Sequence, residues 1–392
     1  MRILQIIDSF SYGGAERLLA TLNSVAPAAG LDMTVTSLAP ASQGRNASLP
    51  VLEAAGLRPA YADVHKLLDP AGVPKLARAI KASGCAVVHA HLGTSATLVP
   101  IAARVAGVPC ISTLHHLPRR KEGLSDRVKN WLQIQSAERG HALVFVSDAA
   151  RHAAAGLYRP HRSWRTLHNG VDLTAFNPVD GPPEPMPEGI DVPPGAPVVT
   201  IVAAVREPKG HEYAIAAWPK VRAQVPDAIL LIIGDGPHLP ALRALVGDSP
   251  DSGIVFAGAR EDVPAILRGS TLALLPSLTE ALPTSLIEAA ATGLAVVATT
   301  VGGTPETVEH GRTGILVAPR DAEALAESVT DLLIDSGLRA KYGAAGRRLA
   351  EERFDLTRWA GRLADLYAEA LGTNERRRTP ASHGDREAGG NT

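Results

Sequence analysis

Glu280 and Glu288 are separated by seven residues, among them Pro283, Thr284 and Ser285. Glu280 falls on a loop leaving an apolar strand, and Glu288 falls inside the helix that follows. That helix begins near Thr284, where unpaired backbone N–H groups and the positive end of the helix dipole suit a phosphate. Carboxylates repel phosphate, but an ionised carboxylate is a pure acceptor and suits sugar hydroxyls. The segment 276–306 therefore offers donors to phosphate and acceptors to hydroxyl groups, and it closes on Gly302-Gly303-Thr304-Pro305-Glu306.

Arg206 and Lys209 lie in Val205-Arg206-Glu207-Pro208-Lys209-Gly210, beyond the end of another apolar strand. Two cations and a helix start aimed at one volume make a diphosphate site. Histidines close two strands nearer the start of the chain: His89 and His91 on one, His115 and His116 on the other. Of these His115 is the strongest candidate for donating a hydrogen bond to a sugar hydroxyl or a leaving phosphate. Gly13-Gly14 forms a strand-to-helix turn that another molecule's backbone or phosphates could approach closely. It is not Gly-x-Gly-x-x-Gly, so a nicotinamide cofactor is disfavoured. No Asp-x-Asp, His-Glu-x-x-His, Gly-x-Ser-x-Gly or Walker A pattern occurs. The expectation is a site that uses no metal and no cofactor, with charge met by Arg206, Lys209 and backbone N–H groups.

The elements that must position these groups alternate between strand and helix. Strands are expected at 2–7, 32–38, 86–91, 110–116, 142–146 and 165–171, with amphipathic helices between them. A proline- and glycine-rich stretch, 177–197, interrupts the pattern, which restarts with strands at 198–205, 228–233, 254–257, 272–275, 296–299 and 314–317. This predicts α/β architecture with two Rossmann-like doubly wound domains, residues 1–176 and 198–355, joined by a linker at 177–197. A helix at 356–371 and a disordered tail at 372–392 complete the chain. Ligands in such sheets bind beyond the strands' carboxyl ends, so the default site is a cleft between the domains.

At 392 residues two cores are the natural expectation. Cys85 and Cys110 adjoin apolar strands and read as buried free thiols, which suits a cytoplasmic chain. The first residues read as a strand and not a signal peptide, and no apolar run is long enough to span a bilayer. Residues 1–176 hold 19 Lys+Arg and 11 Asp+Glu, a net of +8, against −9 for the remainder. A basic–apolar run follows the histidines, with Arg119, Arg120, Lys121, Arg127, Lys129, Trp131 and Leu132. An interfacial helix carries such residues, so peripheral contact with an anionic membrane at the inner face of the cell membrane is a second expectation.

These motifs, together with Asn169-Gly170-Val171-Asp172, resemble those of the GT4 family of glycosyltransferases over roughly residues 1–371. The resemblance implies a GT-B fold, a nucleoside diphosphate sugar (UDP- or GDP-sugar) as donor, a glycan or lipid-linked acceptor, and metal-independent transfer with retention. By it His115 and Glu280 are the candidate catalytic residues, beside or contacting the transferred sugar. Glu288 would hold the ribose, Arg206, Lys209, Thr284 and Ser285 the diphosphate, and Gly14 would approach the phosphates from the first domain. Gly234 joins the same donor-binding set, Arg260 would border the base, and the last helix would cross back to the first domain. Two departures stand out: Ala204 occupies the place of the family's usual Gly-Arg-Leu, and Ala281 follows Glu280 where glycine is usual. A sugar-nucleotide epimerase on a similar scaffold, acting without an acceptor, is the alternative.

Overall fold

The computed structural model describes residues 1–11, 13–67, 69–91, 93–119, 123–179, 181–247 and 250–378. Two sheets form. The first takes β1 (Arg2–Ile7), β2 (Asp32–Ser37), β3 (Pro59–Tyr61), β4 (Val87–His91), β5 (Cys110–Leu114), β6 (Ala142–Phe145) and β7 (Trp164–Thr166) in the order β3-β2-β1-β4-β5-β6-β7. The second takes β8 (Val198–Val202), β9 (Ile229–Ile233), β10 (Ile254–Gly258), β11 (Leu272–Leu275), β12 (Val296–Thr299) and β13 (Gly314–Val317) in the order β10-β9-β8-β11-β12-β13. Every pair in the second sheet is parallel. Its strands are short and nearly all apolar, as strands covered by helices on both faces must be.

In both sheets the order reverses beside the first strand, between β1 and β4 and between β8 and β11. At such a switch point the two connections leave in opposite directions, so the loops beyond β8 and β11 open a crevice between them. Those are the loops carrying Lys209 and Glu280. The second sheet is covered on one side by a core including Val199, Ile201, Leu230, Ile232 and Trp218, and on the other by one including Leu231, Ile233, Leu275, Leu286 and Val296.

By contacts the chain divides into two compact units: Met1–Thr113 with Gly123–Leu143 and Gly361–Thr392, and Leu114–Glu122 with Val144–Ala360. Residues from Val144 to the proline-rich stretch thus group with the second unit. One reason is a shared apolar cluster in which Val146 and Val171 are buried with Ala281, Leu282, Ile287 and Phe354. Gly170 has no room for a side chain here: a Cβ would stand 2.7 Å from the Leu356 Cα.

The last helix runs Leu356–Arg378, past the expected stop at 371, because no residue after Gly372 breaks it before Pro380. The rest of the expected disordered tail, 379–392, lies outside the described residues, as do Arg120 and Lys121 of the basic run. Cys85 and Cys110 are buried free thiols.

His89 and His91, two of the four strand-end histidines, are engaged inside the first unit. They point from one face of β4 into the first unit, both nearly sealed from solvent. His89 Nδ1 stands 2.7 Å from the Tyr367 hydroxyl and its Nε2 2.7 Å from the Thr113 hydroxyl. His91 Nε2 donates to Gln5 Oε1 at 2.7 Å, and Gln5 Nε2 donates to the Tyr367 hydroxyl at 3.3 Å. These histidines tie sheet to last helix, satisfying one another's buried polar groups as an interior network must.

Candidate active site

The loop after β8 makes one 3₁₀ turn, Glu207–Lys209, and ends at Gly210 with φ +66°. A Cβ there would sit 2.1 Å from the Pro276 carbonyl oxygen, so only glycine allows this loop to meet the one after β11. Leu278 N–H donates to the Pro208 carbonyl at 2.8 Å across the same seam. Lys209 is thereby brought to Glu280, its Nζ 2.6 Å from Glu280 Oε1. The Ser277 hydroxyl donates to that same oxygen at 2.7 Å. Glu280 is only 7 % exposed. Ser277 is more deeply buried, and its carbonyl accepts from the Thr299 hydroxyl at the end of β12.

The Gly302-Gly303 pair follows from the same crowding. A Cβ on Gly302 would lie 1.8 Å from the Glu280 carbonyl oxygen, and one on Gly303 2.0 Å from that of Ala281. Gly303 N–H donates to the Glu280 carbonyl at 3.1 Å, fixing the backbone on which the carboxylate rides. Ala281 is not among the described residues with positive φ, so alanine fits this turn, and it is buried in the neighbouring apolar cluster.

The helix expected near Thr284 is Thr284–Ala291, preceded by Pro283, whose side chain caps nothing. Thr284 and Ser285 occupy its first positions and are half-buried; Glu288 lies in its second turn, also half-buried. A helix start without a side-chain cap keeps N–H donors for an incoming anion. Arg206 is exposed, and its guanidinium makes no hydrogen bond or ion pair among the described residues.

The other expected residues are placed as follows. Gly234, at φ +139°, would carry a Cβ 2.0 Å from the Ala203 carbonyl oxygen, so close packing against the Arg206 loop already requires glycine there. Arg260 is held by Asp262, with Nη2 2.6 Å from Oδ2 and Nε 2.8 Å from Oδ1, and it donates to the Glu188 carbonyl. His115 stands one residue beyond β5, half-buried; burial and then the neighbouring His116 push its pKa down to about 4, so the imidazole is neutral at pH 7. Gly14, in the first unit, opens the helix Gly14–Val25 without positive φ, and a Cβ there would touch nothing within 4 Å.

Two groups escaped the sequence reading. Ser277 carries only the weak signal of a hydroxyl three residues before a loop carboxylate. Glu16 in the helix after Gly13-Gly14 is 5 % exposed, its carboxyl packed where a Gly13 side chain would be. Burial, opposed by its own backbone N–H and reinforced by Asp8, raises its pKa to about 7.

Glu306, which ends the same segment, is used differently. Its carboxylate accepts from the N–H groups of Asp148 (2.9 Å) and Ala149 (2.7 Å), at the start of the helix Asp148–Ala155, and from His168 Nε2 (2.7 Å). Burial pulls its pKa up, but these hydrogen bonds outweigh it and hold the group below the usual glutamate range. Asp148, His168 and Glu306 place one ligand-type atom each within 4.8 Å of one another. Their hydrogen bonds, with Asp148 Oδ1 accepting from Arg151 and Thr166, already tie the three into a closed clasp.

Known proteins give the arrangement its family. The description "Glycosyltransferase Family 4" matches residues 12–175, and "Glycosyl transferases group 1" matches residues 196–335. An alpha-maltose-1-phosphate synthase of Mycolicibacterium smegmatis is 30 % identical over 313 residues, 73 % of this chain and 79 % of that one. A GDP-mannose-dependent alpha-(1-6)-phosphatidylinositol monomannoside mannosyltransferase of the same organism is 32 % identical over 236 residues, 58 % of this chain and 62 % of that enzyme. In fold the chain is similar to Anabaena Alr3699/HepE solved with UDP and glucose, with a TM-score of 0.78 at 20 % identity over 94 % of this chain and 99 % of the other. The GT-B architecture expected from the motifs is the one found, and the chain belongs to glycosyltransferase family 4.

Proposed function

We propose that this protein transfers a hexosyl unit from a nucleoside diphosphate sugar to a glycan or lipid-linked acceptor, with retention and without a metal. The carrying observation is the loop cluster in which Lys209, Ser277 and Glu280 meet immediately before an uncapped helix start. Arg206, Lys209 and the N–H groups at Thr284 and Ser285 would stabilise the departing diphosphate, where negative charge develops. Glu280 would orient the sugar hydroxyls, Glu288 the ribose, and neutral His115 would donate a hydrogen bond near the reacting centre. In the transfer step the acceptor oxygen bonds to the anomeric carbon as the carbon–oxygen bond to phosphate breaks on the same face. The acceptor proton passes to the departing phosphate oxygen.

Relatives use GDP-mannose, and a fold neighbour was solved with UDP-glucose, so the base is open to test. A thermal-shift panel of UDP-, GDP- and ADP-sugars without added metal should raise the melting temperature for one donor class by mass action. Product NMR should then show the donor's anomeric configuration retained with EDTA present. Inversion, or a requirement for added metal, would remove that part of the reading. Incubation of donor alone should give no interconverted sugar, which an epimerase would produce.

The acceptor side is proposed to meet an anionic membrane surface. No helix among the described residues is long and apolar enough to cross a membrane. The helix Leu124–Ala137, however, exposes Leu124 (74 %), Val128 and Trp131 (51 %) at helical spacing, with Arg127 and Lys129 beside them. Sedimentation with phosphatidylglycerol vesicles should capture the protein at low salt and release it at high salt; no capture at low salt removes the proposal.

A further inference from the structure

We propose that Ser277 is a positioning residue for Glu280, holding one carboxylate oxygen so that the other is presented to the donor while Lys209 is free to change partners. This rests on the donor-site reading above.

The geometry is asymmetric. Glu280 Oε1 accepts from both Ser277 Oγ and Lys209 Nζ, whereas Oε2 accepts from no described protein donor. The Glu280 side chain keeps 7 % of its surface exposed, so it is not wholly sealed from the loop cluster. A carboxylate oriented in this way offers a single acceptor edge to a ligand hydroxyl.

The two donors on Oε1 differ in stiffness. Lys209 is partly exposed and sits on a flexible four-carbon stem with two further N–H donors. Ser277 has one side-chain torsion, is 1 % exposed, and has its backbone tied through its carbonyl to Thr299 on the neighbouring strand end. An anionic diphosphate arriving at the Thr284 helix start competes with Glu280 for the ammonium group. If Lys209 turns toward the phosphates, Ser277 alone keeps Glu280 from swinging, and the orientation of Oε2 survives donor binding. Lys209 then serves two partners in sequence, the carboxylate in the empty protein and the diphosphate in the loaded one.

The test compares Ser277→Ala, Ser277→Thr, Ser277→Cys, Lys209→Met and Glu280→Gln, using the nucleotide sugar identified by thermal shift and its nucleoside diphosphate. A lost hydrogen bond to a charged group corresponds to a fall in kcat of about ten- to a hundredfold. Ser277→Ala should lose that much while its nucleoside diphosphate Kd, by calorimetry, stays unchanged and its melting temperature falls by no more than a few degrees. Ser277→Thr, which keeps the hydroxyl, should recover most of kcat. Lys209→Met should lose both kcat and diphosphate affinity. Unchanged kcat in Ser277→Ala overturns the proposal. So does a parallel loss of kcat, diphosphate affinity and melting temperature that threonine does not rescue, since that marks a merely structural serine. Should the alanine variant fail to fold, Ser277→Cys keeps the volume without a strong donor, and full kcat there overturns it equally. Full transfer by Glu280→Gln would instead overturn the donor-site reading itself, while an inactive Glu280→Gln beside a fully active Ser277→Ala would overturn only the role of Ser277.

Discussion

Glu280 and Glu306 lie in one segment, Glu280 on a loop against which Gly302 and Gly303 pack and Glu306 in the short helix Thr304–Thr307 that follows, yet their carboxylates are in opposite conditions. Glu306 is held by two helix-terminal N–H groups and an imidazole, and all three donors come from residues more than 130 positions away. Glu280 is more deeply buried but has one oxygen held and one unclaimed by any described residue. Depth of burial is therefore a poor guide to function here. The informative quantity is whether the acceptors of a buried carboxylate are filled from within, because an acceptor that the protein leaves open is one a ligand hydroxyl can fill.

The sharpest test of this contrast is to exchange the two residues' expected phenotypes. Glu280→Ala should abolish transfer, by about two to three orders of magnitude or more, as loss of a preorganised transition-state contact does. Its fold should remain intact by circular dichroism. Near-normal turnover would place Glu280 in the same class as Glu306 and erase the distinction.

Glu306→Ala should show the reverse. Removing the carboxylate strands the N–H groups of Asp148 and Ala149 and leaves His168 without its acceptor, a destabilisation of about 1–3 kcal/mol. The melting temperature should fall by about 2–10 °C, read by differential scanning calorimetry. Nucleoside diphosphate affinity of the folded protein should be unchanged. A loss of affinity without loss of stability would show that Glu306 faces the donor after all.

The fold class was legible because parallel strands announce themselves as short apolar runs, and their carboxyl ends, where ligands bind, follow from chain direction alone. The two loops of the candidate site could therefore be named in advance, with Arg206, Lys209 and Glu280 on them and Thr284 at the helix start that follows. Side-chain pairing was not legible. Lys209 read as a phosphate cation, but Gly210 lets its loop close on Pro276, and its ammonium group meets Glu280 first. Glu306 read as part of a ligand-binding motif because its partners lie on another part of the chain. His89 and His91 sit two apart on a strand, which places them on one face, but only the position of Tyr367 shows that the face is covered. Local pattern fixes where a residue is on its element; it does not say what arrives opposite.

Acidification offers a third comparison. His115 and His211, the latter buried at the start of the helix His211–Gln224, are both held near 4 instead of the usual 6.5, mainly by burial, so the unfolded chain binds their protons first. Stability should decline as pH falls from about 6.5 towards 4. Glu16, raised to about 7 from 4.5, acts in the opposite sense, since its stabilising contribution is complete below 4.5 and disappears as pH rises through 7. Glu306, held below the usual range, keeps its contribution at pH 5 and loses it only as pH falls through its lowered value. Melting curves between pH 7.5 and 4.5 should therefore flatten in His115→Gln and steepen in Glu16→Gln, whereas Glu306→Ala should lower the whole curve in parallel. A parallel shift in the two other variants as well would mean that these groups do not govern the acid limb.

The smallest effect concerns cations, where the same contrast recurs. Arg260 is engaged by Asp262 and the Glu188 carbonyl, whereas Arg206 is exposed and meets no partner among the described residues. A guanidinium already in a bidentate pair has little left for a diphosphate, and separating it would leave Asp262 without its partner. Arg206→Ala should weaken nucleoside diphosphate binding about tenfold, the size of one charge-assisted hydrogen bond, with no change in melting temperature. Arg260→Ala should change affinity by less than about threefold, within what a surface ion pair contributes. Calorimetric titration of both variants decides the matter. If Arg260 proves the stronger contributor, its pair with Asp262 is a resting state that the donor opens, and Lys209 would then not be the only cation at the site that changes partners on loading.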